Sequence, residues 1–178
     1  MPKTRSQTLC ETEKAAVQQH ELPIPEADDA VISVGAIDVD QLSCVLEIKT
    51  SQEPYFVPPL SNRFEHTDTE VVECKMSHPG MFTDEGGIED LTASEMTSVA
   101  CNGTTPFGPS ISFNGHEATY FASNGKWLTV MEFFDAVGKH ETATRGSSDW
   151  FGGVDTQHVF FEGVGKGRGG RYSLYWGS

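Results

Sequence analysis

The amino-acid sequence predicts an α+β protein, in which a small antiparallel sheet of hairpins packs against one short, capped helix. Three stretches support this prediction. Residues 128–138 have the capping and apolar pattern of a helix, Asn114-Gly115 separates two β-type runs, and Ser43–Thr50 alternates apolar with polar side chains. The expected arrangement is a C-terminal β-β-α-β-β module, preceded by an acidic, β-rich segment and a flexible tail.

The predicted helix has signals at both ends. Thr129 is a favourable N-cap, and Glu132 lies three residues later, where its carboxylate completes a capping box. Leu128 and Phe133 flank the cap at the spacing of a hydrophobic staple. Gly138 is expected to end the helix in the left-handed conformation. One apolar face is predicted from Val130, Phe133, Phe134 and Val137.

Composition restricts the class of protein. The 178 residues suit one domain, or a domain with a tail, and the net charge is −14. Residues 11–100 hold nineteen acidic and four basic side chains, which argues against general nucleic-acid binding. No apolar run is long enough to cross a bilayer, and none follows the basic start as a signal peptide requires. We therefore expect an intracellular protein, cytoplasmic or nuclear, with free cysteines and no membrane insertion.

The N-terminal residues are expected to form a tail. Residues 1–29 are rich in polar side chains and are interrupted by Pro23 and Pro25, which predicts disorder in the free protein. The proline-rich stretch Glu53–Leu60 is expected to be extended.

Residues 30–105 are expected to form the acidic, β-rich segment. Val31–Val39 and Ser43–Thr50 predict a hairpin that turns at 38–41, and Glu70–Met76 predicts a further strand. A helix near 88–100 is predicted from the nearly helical spacing of Ile88, Leu91, Met96 and Val99.

Residues 106–178 are expected to form the compact module, with 30–178 as a single domain being the alternative. Asn114-Gly115 predicts a two-residue turn that pairs Phe113 with His116 and Ile111 with Ala118. After the helix, two further strands are predicted at 158–164 and 171–176, joined by a glycine-rich loop.

The function predicted from these features is a non-enzymatic binding or assembly module. The chain has no recognisable nucleophile elbow, phosphate loop or cofactor motif, so no cofactor is expected. The C-terminal sheet is rich in aromatic residues, which predicts a surface for a protein partner or for a second copy of the chain. The predicted binding surface consists of Trp150, Phe151, Phe160, Tyr175, Arg168 and Arg171.

Two alternatives remain open at this stage. A small hydrolase would use His158 as a general base with Asp155 or Glu162, since His158 and Glu162 would share one face of a strand. A zinc-stabilised fold would use Cys74 and His78 as ligands, with His66 and Cys101 able to complete a tetrahedral site.

Overall fold

A computed structural model of the chain describes residues 35–50, 71–147 and 154–178. The predicted tail, the proline-rich stretch, His66, Trp150 and Phe151 lie outside these ranges. The α+β class is confirmed, with mostly antiparallel strands and one long helix. The elements are β1 Ala36–Asp38, β2 Leu42–Ser43, β3 Leu46–Thr50, β4 Val71–Met76, β5 Gly80–Phe82, β6 Ile88–Asp90, α1 Ala93–Met96, β7 Val99–Asn102, β8 Thr105–Pro106, β9 Ser110–Ser112, β10 Thr119–Phe121, α2 Val130–Thr144, β11 Phe160–Lys166 and β12 Tyr172–Gly177.

The strands form several small sheets. β3 pairs with β4, β9 with β10 and β11 with β12, all antiparallel, while β5 lies between β2 and β6. β7 pairs with β1 in parallel and with β8 in antiparallel orientation. An isolated bridge between Val45 and Phe160 connects the acidic segment to the C-terminal module, and one between Phe113 and Tyr172 lies within that module.

α2 begins as predicted but ends later. The Thr129 hydroxyl accepts a hydrogen bond from the backbone N–H of Glu132, and the Glu132 carboxylate accepts one from the backbone N–H of Thr129. The predicted end at Gly138 is wrong, because the helix continues to Thr144. Gly138 instead allows close packing: a Cβ there would lie 3.2 Å from the carbonyl oxygen of Cys74 in β4. A glycine inside a helix costs only about 1 kcal/mol, which this contact with β4 offsets.

The core forms around the predicted apolar face of α2, whose four residues are all buried. The Phe133 ring stacks on Phe107 at 4.8 Å between centroids and meets Phe161 edge-on at 6.2 Å. The buried cluster also contains Leu46 and Cys74 from the acidic segment. The two segments thus share one core, while the boundary near residue 105 stays a prediction.

The predicted hairpin at 38–41 is wrong. β1 pairs in parallel with β7, and residues 39–41 form a 3-10 helix. Two side-chain contacts explain this: Asp38 accepts a hydrogen bond from the backbone N–H of Asp40, and the Asp40 carboxylate accepts one from the backbone N–H of Val164 at 2.8 Å. The alternation of β3 is correct, and this strand pairs with β4.

The predicted helix near 88–100 is also wrong. This stretch contains β6, the four-residue helix α1 and β7. Thr92 and Glu95 form a capping box that starts α1 within the predicted helix. The helical spacing was misleading because Ile88 is exposed and Met96 is only partly buried, so these residues do not form one buried stripe.

The hairpin of β9 and β10 exists, but its register differs by two residues from the prediction. Ile111 pairs with Tyr120 rather than with Ala118, which leaves a six-residue loop. Asn114 does not form the predicted two-residue turn. Its backbone N–H donates instead to the carbonyl of Tyr172, and its side chain donates to Ser173. Only Gly115 has positive φ there, at 93°.

The last two strands form as predicted, but β11 begins at Phe160 rather than at His158 and ends at Lys166, and β12 runs from Tyr172 to Gly177. Phe161 faces Trp176, and Tyr172, Leu174 and Trp176 pack against the core from one face of β12, as expected. The chain therefore ends in a strand paired with β11.

We expect Phe133→Ala to lower the free energy of unfolding by about 3–5 kcal/mol, because this ring is fully buried among other rings. Met131→Ala is the matched control: it changes a half-exposed side chain on the same helix and should cost less than about 1 kcal/mol. Urea unfolding followed by circular dichroism measures both. A near-neutral Phe133→Ala would contradict this packing.

Candidate functional site

A buried ion pair lies at the C-terminal end of α2. The Arg145 Nε donates to the Glu141 carboxylate at 2.6 Å, and each residue is only 7% exposed. Sequence reasoning missed this pair because it ended the helix at Gly138. The glutamate-to-arginine spacing of four residues is the signal that could have revealed it.

Arg145 connects the segment before β11 to the helix through hydrogen bonds. One terminal nitrogen of its guanidinium donates to the carbonyl oxygens of Asp155 and His158, each at 2.8 Å. The guanidinium also lies 5.1 Å from the centre of the Trp176 ring, whose indole N–H donates to Glu141. Helix, loop and last strand are thus joined through one buried charge.

Asp155 and His158, two of the predicted catalytic candidates, are in direct contact. The His158 Nδ1 lies 2.9 Å from the Asp155 carboxylate, whose other oxygen accepts the backbone N–H groups of Gln157 and His158. Burial acts to raise the pKa of Asp155, but these hydrogen bonds and the charge of Arg145 outweigh it and hold the pKa below its usual value. Such a pair can fix the tautomer of the imidazole, and it can equally well hold a turn.

Glu162, the third candidate, is positioned differently from the prediction. His158 precedes β11, and the pairing register of β11 shifts between Phe161 and Gly163. The argument that His158 and Glu162 share one strand face therefore does not apply.

The proposed zinc ligands differ in their surroundings. Cys74 is buried in β4, and burial raises the pKa of its thiol, whereas His78 is exposed. Cys101 is buried in β7. Over the described ranges, no group of three or more His, Cys, Asp or Glu side chains is positioned to hold a metal ion.

Four residues of the predicted binding surface can be located. Phe160 is 49% exposed and Tyr175 53% exposed, both on the outer face of the β11–β12 hairpin. The Tyr175 ring lies across Gly165, where a Cβ would come within 2.6 Å of the phenol oxygen. Arg168 is exposed, while the Arg171 guanidinium donates to the carbonyl of His116 at 2.6 Å.

His140 is a buried histidine with an unusual environment. Its side chain packs 5.1 Å from the Phe113 ring, and its Nδ1 has no hydrogen-bond partner within the described part of the chain. Burial, with a smaller contribution from the charge of His116, lowers the pKa of His140 to about 4. The imidazole is therefore neutral in the folded protein near neutral pH.

No protein-family model matches the chain, and no curated protein or solved structure matches it either. Among the described residues, no helix is both long and apolar enough to cross a membrane.

We expect acid to destabilise the protein through His140. The pKa of His140 is about 4 in the folded protein and about 6.5 in the unfolded chain. The stability gained by burying the neutral imidazole is therefore complete above pH 6.5, and it is lost as the pH falls toward 4. The loss should approach about 3 kcal/mol, the energy of such a pKa difference. Urea unfolding at a series of pH values measures it.

His140→Leu should flatten that dependence, whereas His78→Gln, which changes an exposed histidine, should leave it intact. Glu132 affects stability in a lower pH range. Burial acts to raise its pKa, but hydrogen bonds from Ser123 and Thr129 outweigh burial and lower the pKa to about 2. The stability that Glu132 contributes is therefore lost at lower pH than that of His140. An unchanged slope in His140→Leu would contradict the assignment.

We expect Arg145→Met to cost about 3–5 kcal/mol, because it leaves the Glu141 carboxylate buried without its partner. The double variant Glu141→Leu with Arg145→Met should recover part of that loss, since it removes both charges. A double-mutant cycle by urea unfolding measures the coupling. Costs that simply add would contradict a direct buried pair.

Proposed function

We propose that this protein is a non-enzymatic binding module that contacts another protein, or a second copy of itself, through the outer face of the β11–β12 hairpin. The observation that supports this is the half-exposure of two large aromatic side chains, Phe160 and Tyr175, on one small surface. Tyr175 lies two residues before Gly177, the pairing partner of Phe160, so the two residues lie on the same face of the hairpin.

The sheet leaves this face available because its inner face is already used. Phe161 and Trp176 point into the core, where their rings lie 5.8 Å apart. Phe160 and Tyr175 cannot join them, since successive side chains of a strand face opposite sides. Exposed aromatic residues above a rigid sheet are typical anchors of protein interfaces.

The exposed loop beside this face adds positive charge. Arg168 lies between β11 and β12, and Gly169 and Gly170 beside it have positive φ. Charge at the rim of an aromatic patch favours orientation of a partner more than affinity. We do not extend this loop to nucleic-acid binding, because the chain as a whole carries −14.

The proposed location is intracellular, either cytoplasmic or nuclear. Cys44, Cys74 and Cys101 are free and buried, which supports a reducing compartment. Burial raises the pKa of the Cys44 thiol to about 11, so this side chain acts as a small apolar group.

A second candidate function is a small hydrolase based on His158. The specific observation in its favour is the 2.9 Å contact between His158 and the Asp155 carboxylate. In this case His158→Ala should abolish activity toward a small ester or amide substrate without lowering the melting temperature. A lower melting temperature with no activity to lose would assign the pair to the turn alone.

We expect Phe160→Ser with Tyr175→Ser to weaken association at least about tenfold, because it removes both proposed anchors. Sedimentation velocity of the purified protein detects self-association, and a photo-crosslinking residue placed at Tyr175 identifies a different partner in native extracts. Phe121→Ser is the matched control, since it removes a 75% exposed aromatic residue from β10. A monomer that forms no crosslinks at Tyr175 would contradict the proposal.

A further inference from the structure

The hairpin of β5 and β6 carries a second exposed apolar patch, separate from Phe160 and Tyr175. Phe82 is 66% exposed and Ile88 is 57% exposed. Phe82 and Ile88 are direct cross-strand partners and lie on the same face. Sequence reasoning missed this patch because it assigned Ile88 to a helix.

The hairpin is held in a defined shape. The Thr83 backbone N–H donates to the carbonyl of Gly87 at 2.9 Å, and the Thr83 hydroxyl accepts from the N–H of Gly87 at 3.0 Å. A methyl group of Ile88 occupies the space where Gly80 would carry a Cβ. The apolar patch is therefore fixed by backbone bonds and by close packing.

The outer edge of β6 is open for pairing. The bonds from Thr83 to Gly87 and from Leu91 to Pro79 mark the positions where the two strands exchange hydrogen bonds. Since these positions alternate along an antiparallel pair, the N–H and C=O groups of Ile88 and Asp90 point away from β5. No strand within the described ranges pairs with that edge.

The charged side chains of the hairpin itself are all acidic. From Met76 to Gly125 the chain has six acidic residues and no lysine or arginine. Four of these carboxylates belong to the hairpin itself, in its turn and in β6. No described residue forms an ion pair with any of them. They are Asp84, Glu85, Glu89 and Asp90.

This charge decides between possible occupants. A second copy of the hairpin would bring four more carboxylates to the same edge, and like charges placed opposite each other are unfavourable. A strand with basic side chains would meet opposite charges and could use the open N–H and C=O groups. Apolar side chains on the same strand would cover Phe82 and Ile88.

We propose that the β5–β6 hairpin docks an extended segment of another protein, rich in alternating basic and apolar residues, which adds as a strand to the edge of β6. This inference uses a surface different from Phe160 and Tyr175, so either proposal can fail without the other. The partner is defined by its chemistry, namely a basic, apolar strand.

The test uses the full chain and a fluorescent peptide of alternating lysine and valine residues, with a glutamate–valine peptide as the control. Fluorescence anisotropy should detect the lysine peptide alone, with an affinity that falls as salt shortens the Debye length from about 10 Å at 0.1 M toward 3 Å at 1 M. Amide hydrogen exchange should show new protection at Ile88 and Asp90.

Three sets of variants separate the contributions. Phe82→Ser with Ile88→Ser should weaken binding at least about tenfold if the apolar patch is an anchor. Asp90→Pro should weaken it further than Asp90→Asn, because both remove the charge but only proline removes the outward N–H. Phe160→Ser with Tyr175→Ser should bind the peptide like the original chain, and the melting temperature of each variant shows that it is folded.

Several results would overturn this inference. Equal binding by the Phe82→Ser/Ile88→Ser variant would show only a general attraction of an acidic protein for a cationic peptide. Protection of amides at another strand edge would assign the peptide elsewhere. A concentration-dependent dimer that this double variant abolishes would identify the occupant as a second copy of the chain.

Discussion

The structure depends on burying the apolar face of α2 between strands from both halves of the chain. Phe133 contacts aromatic rings of the C-terminal module, while Gly138 brings the same helix within 3.2 Å of the β4 backbone, measured from the position of an added Cβ. Thr142 then hydrogen bonds to the backbone of Cys74. A Cβ at position 138 would be in tight contact with the β4 backbone, which would have to shift by a few tenths of an ångström to admit it.

The buried charge at the end of α2 extends this constraint to the last strand. Arg145 binds Glu141 on the helix and two carbonyl oxygens in the segment before β11, and its guanidinium lies beside Trp176. Because Trp176 is held on the inner face, the alternation of β12 places Tyr175 on the outer face. The exposure of Tyr175 thus follows from the packing of Trp176 against the core.

Local signals in the sequence predicted the parts of the fold that depend on neighbouring residues. The Thr129 capping box and the alternation of β3 are examples, and the Asp155–His158 contact spans only three residues. Features set by distant residues could not be predicted in this way. The parallel pairing of β1 with β7 joins segments more than sixty residues apart in the sequence. Asn114 does not form a two-residue turn, because it donates hydrogen bonds to Tyr172 and Ser173.

The acidic character of the β5–β6 hairpin disfavours pairing of its open edge with the same edge of a second copy. Such edges promote pairing between identical chains, and charged side chains are a common protection against it. All the charged side chains of this hairpin are acidic, which disfavours pairing between identical copies and favours a strand of opposite charge. Protection by both signs of charge, or by a proline, would have closed the edge to every partner. In the proposed docking, this single sign of charge selects a basic strand over a second copy of the chain.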